Sequence, residues 1–144
     1  GYFKNDKATK EALSADGWLN TGDICTIDRD GYVFLRGRNK NMILSSSGQN
    51  IYPEEIEVQL NNLPLVGESV VVDRNGKIVA LVHPDYDAGR NLGLSEAQTE
   101  QRVMDNLPAL NKMLPAYSRV NTIEIHPDEF EKTPKHSIRR FLYK

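Results

Sequence analysis

The 144 residues carry 18 Lys and Arg against 20 Asp and Glu, a formal net charge of −2, with 39% hydrophobic and 26% charged residues. This suits one soluble domain, or one domain with an appendage, and excludes both a disordered chain and a generally basic nucleic-acid-binding surface. The one cysteine, Cys25, excludes an intrachain disulfide and suits a reducing compartment, and no apolar run approaches a transmembrane length.

The chain opens Gly-Tyr-Phe, without an initiator Met and without a signal-peptide core, which leads us to expect a piece of something longer. The first twenty residues show little patterning, and several polar side chains there would be comfortable on the surface of another domain. Residues 24–36, ICTIDRDGYVFLR, alternate around Asp30-Gly31, a hairpin signal because Asp-Gly tolerates the positive φ of a turn. In YPEEIEVQL, Pro53 at the first helical position, early glutamates, and Ile56, Leu60 and Leu63 at i, i+4 and i+7 predict an amphipathic helix. A second hairpin is predicted where Asn75-Gly76 joins SVVVDR to KIVALVH.

A further helix is predicted from Ser95, with Gln98 completing a capping box, to about Leu107; Pro108 then breaks or kinks it before LNKML. VNTIEI, residues 120–125, reads as a strand, and a short helix is expected over residues 138–143. The elements do not alternate as a βαβ fold would. The expected class is therefore α+β, a small antiparallel sheet with flanking helices, preceded by a β-hairpin.

Chemistry concentrates in three stretches. Asp23 follows Thr21-Gly22 at the mouth of the first hairpin, where a fixed carboxylate serves as a turn cap or accepts two hydrogen bonds from a vicinal diol such as ribose. Arg38, past the second strand, suits a ribose or phosphate oxygen. SSSGQNIYPEEIE follows at 45–57, and the basic stretch KTPKHSIRR at 132–140 is a solvated tail or a partner for something anionic. His83, His126 and His136 show no metal-ligand spacing, and no metal site is expected.

In order and spacing, Thr-Gly-Asp, the hairpin ending in Gly37-Arg38-Asn39-Lys40, GQNIYPEEIE and the closing RRFLYK resemble the C-terminal part of the adenylate-forming enzymes. Those are the acyl-CoA synthetases, the adenylation domains of peptide synthetases, and beetle luciferase. GQNIYPEEIE and RRFLY look most like bacterial long-chain fatty-acyl-CoA synthetases.

The resemblance implies that residues 1–39 close a large AMP-binding domain and that 40–144 form a hinge and a mobile C-terminal domain. It implies that Asp23 binds the ribose hydroxyls of ATP, that Arg38 also contacts the nucleotide, and that Lys40 is the hinge. Gly48 would be the glycine past which the pantetheine arm of CoA threads. The implied reaction joins a carboxylic, by resemblance fatty, acid to AMP and then transfers the acyl group to CoA after the small domain rotates. The missing large domain would be this chain's partner and would hold the phosphate loop, the Mg²⁺ ligands and the acyl pocket. The fragment alone is accordingly expected to be inactive and to bind no cofactor, within a cytoplasmic enzyme whose peripheral association with a membrane is left open.

Two positions depart from the family pattern. Asn50 stands where many relatives have a basic residue, and aligning Ile138 and Arg140 to the closing motif puts Ser137 in the slot of the catalytic lysine. Lys135, two residues upstream, is the candidate replacement, with His136 where glycine is common. The rival readings are a peptide-synthetase-type adenylation fragment and a non-catalytic α+β module binding a ligand or partner; an RNA-binding module stands far behind, because the strands lack an aromatic-plus-basic signature.

Overall fold

The computed structural model describes residues 1–45 and 47–144; Ser46, inside the serine-rich stretch noted above, lies outside the described residues. The chain divides into two compact units, Gly1–Asn41 and Met42–Lys144.

The first unit opens with helix α1, Asp6–Ala12, which was not legible in the sequence; Asn5 caps it by accepting from the Ala8 amide at 3.0 Å. The predicted hairpin follows as β1, Asp23–Ile27, paired antiparallel with β2, Val33–Arg38. Its connection is broader than an Asp-Gly tight turn. Asp28 organises it, its carboxylate accepting from the Asp30 and Tyr32 amides at 2.9 Å each, and only Gly31, at φ 88°, takes the positive-φ position. No described residue of this unit is buried, and Trp18, Phe34 and Leu35 are exposed.

The second unit begins with a short ladder of β3, Ile43–Leu44, against β4, Asn50–Ile51, and then helix α2, Pro53–Asn61. Strands β5, Val66–Arg74, and β6, Lys77–Pro84, form the second predicted hairpin. Asn75 and Gly76, at φ 54° and 78°, make the two-residue connection whose twist suits antiparallel strands. Helices α3, Tyr86–Asn91, α4, Glu96–Met104, and α5, Leu107–Met113, lead to β7, Thr122–Ile125. The Ser95–Gln98 capping box is present at the start of α4. Pro108 falls in the first turn of α5, where its missing N–H costs nothing, and α4 has already ended at Met104.

The three-stranded sheet has the order β5-β6-β7. The class is α+β as expected, but the sheet is mixed: β7 runs parallel to β6. The reason is the connection, since three helices between β6 and β7 carry the chain back to the starting end of the sheet, as a parallel pair requires.

Both faces of this sheet are covered. Val71, Ile78, Ala80 and Val82 face Ile56, Leu60, Val103 and Leu110 of the helices. Val70, Val72, Val79 and Leu81 face Phe130, Ile138 and Tyr143 of the C-terminal segment. Two covered faces explain why both strands are nearly continuous apolar runs rather than alternating ones. The helix expected over 138–143 is a single 3₁₀ turn, Arg140–Leu142, because this segment lies against the sheet and is tied down by its side chains.

Candidate functional site

The two nucleotide candidates of the first unit meet. Asp23 and Arg38 are directly paired residues at the open end of β1 and β2. The Arg38 guanidinium places Nε 2.9 Å from Asp23 Oδ1, and its Nη1 donates to the Thr21 carbonyl at 3.0 Å. Thr21 Oγ1 in turn accepts from the Asp23 amide at 3.3 Å, and Gly22, at φ 73°, provides the bend between them. The result is an oriented, partly exposed carboxylate at a strand mouth, backed by a fixed cation. Lys40 lies just beyond, in a 3₁₀ turn over Asn39–Asn41.

In the second unit, Gly48 sits in the turn joining β3 to β4. The Ser45 amide donates to the Gln49 carbonyl at 2.9 Å, the Gly48 amide to the Ser45 carbonyl at 3.0 Å, and the Gln49 amide to Ser45 Oγ at 2.9 Å. Gly48 has φ 77°, and a Cβ added there would meet no atom within 4 Å. The glycine is thus required by backbone conformation, and the space beside it is open to solvent.

KTPKHSIRR is not a plain solvated tail. Lys132 and Ile138 form a β-bridge, the Thr133 amide donates to the Ser137 carbonyl at 2.8 Å, and the Arg139 amide donates to the Glu131 carbonyl at 2.8 Å. Lys135 and His136 occupy the tip. His136 adopts φ 58°, which explains why glycine would be comfortable there. Lys135 is exposed, and its ammonium meets no carboxylate among the described residues. Lys132, by contrast, is ion-paired with Glu68, which holds its ammonium pKa above the ordinary lysine value.

Sequence reasoning missed a part-buried, two-pronged ion pair in this unit. Arg140 grips Glu57 with both ends of its guanidinium, Nη1 to Oε1 and Nη2 to Oε2 at 2.5 Å each, and Nη1 also donates to the Val71 carbonyl at 3.2 Å. Glu57 Oε1 accepts from the Val71 amide at 2.6 Å. Burial pushes the Glu57 carboxyl above its ordinary range, with Arg140 and the Val71 amide opposing; Arg140 itself is raised, the Glu57 contacts outweighing its own burial. A signal was available: Glu57 lies in the buried stripe of α2 with Pro53, Ile56 and Leu60, and a carboxylate there requires a partner. Among the described residues, no three His, Cys, Asp or Glu side chains gather as metal ligands. His83 and His126 are structural, the Nδ1 of His83 lying 3.1 Å from the His126 carbonyl oxygen while His126 stacks on Phe130.

The second unit is a small α+β fold, a three-stranded sheet with helices on one face and the C-terminal segment, with its basic turn, on the other. The chain belongs to the AMP-binding enzyme C-terminal domain family, whose model matches residues 40–143. It is 42% identical over 89 residues to the long-chain-fatty-acid–CoA ligase FadD15 of Mycobacterium tuberculosis, covering 61% of this chain and 15% of that protein. It is 33% identical over 147 residues to the 4-coumarate–CoA ligase-like 4 protein of Oryza sativa, covering 100% of this chain and 24% of the relative. The crystal structure of ATP-bound MatB from Rhodopseudomonas palustris superposes with a TM-score of 0.70 at 27% identity, covering 99% of this chain and 27% of that one. The chain thus spans only about a quarter or less of each of these proteins.

Proposed function

We propose that this chain is the C-terminal part of an acyl-CoA synthetase, most like a fatty-acyl-CoA ligase. The observation that carries the reading is the match of residues 40–143 to the AMP-binding C-terminal domain, with relatives named as CoA ligases aligned along the chain. In this reading residues 1–39 end a large AMP-binding domain, 40–144 form the mobile domain, and Lys40 is the pivot.

A carboxylate oxygen attacks the α-phosphorus of ATP, and the bond to pyrophosphate breaks to give the acyl-adenylate. The CoA sulfur then attacks the acyl carbon, losing its proton, and AMP leaves. Asp23 accepts the ribose hydroxyls, and Arg38 holds that carboxylate in orientation. Lys135 offsets the repulsion between an attacking carboxylate and a polyanionic phosphate, the problem of the first step. Gly48, with open space beside it, is the point at which the pantetheine arm passes a backbone free of side chain. In this reading the Mg²⁺ that accompanies ATP would be held by the large AMP-binding domain.

The test is an assay of the protein encoded by the complete reading frame with ATP, CoA and carboxylic acids of graded chain length, alongside aromatic acids. Acyl-CoA formation supports the proposal, and the preferred acid identifies the branch. Amino-acid-dependent pyrophosphate exchange with transfer to a carrier protein would replace it with the peptide-synthetase reading. The 144-residue chain alone should form no acyl-CoA.

A further inference from the structure

The contact between Arg140 and Glu57 joins three separate parts of the second unit. Glu57 comes from α2, Arg140 from the C-terminal segment, and the Val71 backbone from β5, an edge strand of its sheet. An edge strand leaves backbone N–H and C=O groups without a strand neighbour. Here the Val71 amide donates to Glu57 and the Val71 carbonyl accepts from Arg140. The ion pair thus takes the place of one residue of a neighbouring strand, and the C-terminal segment is referenced directly to the sheet backbone.

The turn carrying Lys135 is held at its base on both sides. Before the turn, Phe130 is buried on the sheet, Tyr143 Oη accepts from the Glu131 amide at 2.8 Å, and Lys132 pairs with Glu68 of β5. After it, Ile138 packs on the same face, and Arg140 is fixed two residues on. A planar guanidinium making two parallel bonds to a carboxylate sets direction as well as distance, which a lysine at that position would not. A tilt at Arg140 would be carried up the turn and displace its tip.

We propose that Arg140, through Glu57 and Val71, is a positioning residue that sets the attitude of the Lys135 turn for the adenylation half-reaction. The inference rests on the reading of Lys135 given above, and its test separates the two. In Arg140→Gln, amide hydrogen exchange at Thr133, His136 and Arg139 should quicken about tenfold or more, while the β6 amides keep their protection. In the full-length enzyme the same variant should lower kcat for pyrophosphate exchange about ten- to a hundred-fold. The KM for ATP should be unchanged, and thioester formation from supplied acyl-adenylate should be retained.

Arg140→Lys, which keeps the charge and loses the fork, should recover only part of the rate. Should Arg140→Gln unfold the sheet, Glu57→Gln, which retains an acceptor for the Val71 amide, is read the same way. Unchanged protection of the turn, or equal losses in both half-reactions, overturns the proposal. If Lys135→Ala leaves pyrophosphate exchange intact, the role given to Lys135 falls, and the exchange of the turn amides still decides whether Arg140 holds the turn.

Discussion

Arg38 Nε lies 2.9 Å from Asp23 Oδ1, so two residues fifteen positions apart in sequence form one unit at the end of a hairpin. Arg38 Nε engages one oxygen of the carboxylate, and in the function proposed above the other would accept from a ribose diol. Asp23→Ala in the full-length enzyme should raise the KM for ATP roughly ten- to a hundred-fold, the range of a lost charged hydrogen-bonding group. Arg38→Ala should act in the same direction and more weakly. An unchanged KM in both variants would remove the pair from the nucleotide site.

The units differ in how they are held. Among the described residues, the buried hydrophobic ones lie beyond position 50, while the first unit is held by polar contacts such as the exposed Arg38–Asp23 ion pair. Few buried apolar contacts mean low free energies of local opening. Hydrogen exchange on the isolated chain should therefore show the β1–β2 amides opening much faster than those of β5 and β6. Equal protection throughout would contradict this account.

Lys135→Ala should lower pyrophosphate exchange on the order of a hundred-fold or more, the usual effect of removing a charge that acts on a developing transition state. It should spare thioester formation from supplied acyl-adenylate. Lys132→Ala should be milder, because that ammonium is engaged by Glu68, and Ser137→Ala should be mild too, because the Ser137 contacts in the turn are made by its backbone. The ratio of the two half-reactions across the three variants is the measurement.

Arg140→Met would leave a carboxylate buried without its cation, a change costing about 3–5 kcal/mol. Burial already holds the Glu57 pKa above 4.5, and removing Arg140 takes away the main force that lowers it. The folded variant then binds the Glu57 proton more tightly than the unfolded chain, so protonation favours folding. Its stability deficit against the parent should be full above the folded-state pKa of Glu57 and shrink as pH falls through that value toward 4.5. Urea unfolding of both proteins across this range is the check, and a deficit independent of pH would mean that Glu57 is not the group left stranded.

Local chemistry was readable from the chain alone. Asn75-Gly76 specified a two-residue turn because both positions need positive φ; Ser95 and Gln98 specified a helix start because each satisfies the other's backbone amide. Pro53 with Ile56 and Leu60 specified a buried helix face. The direction of β7 was not readable, because a strand's own residues are the same whichever way its neighbour runs; the three helices before it decided that. Asp30-Gly31 suggested a tight turn, and Asp28, by drawing two amides to its carboxylate, made a wider one. The Arg140–Glu57 contact spans 83 positions, and its geometry depends on α2, β5 and the C-terminal segment packing on the same sheet. Sequence supplied a charged residue in an apolar stripe and arginines near the end. Only tertiary packing, by burying Glu57 beside an unpaired strand edge, determined which arginine must reach it.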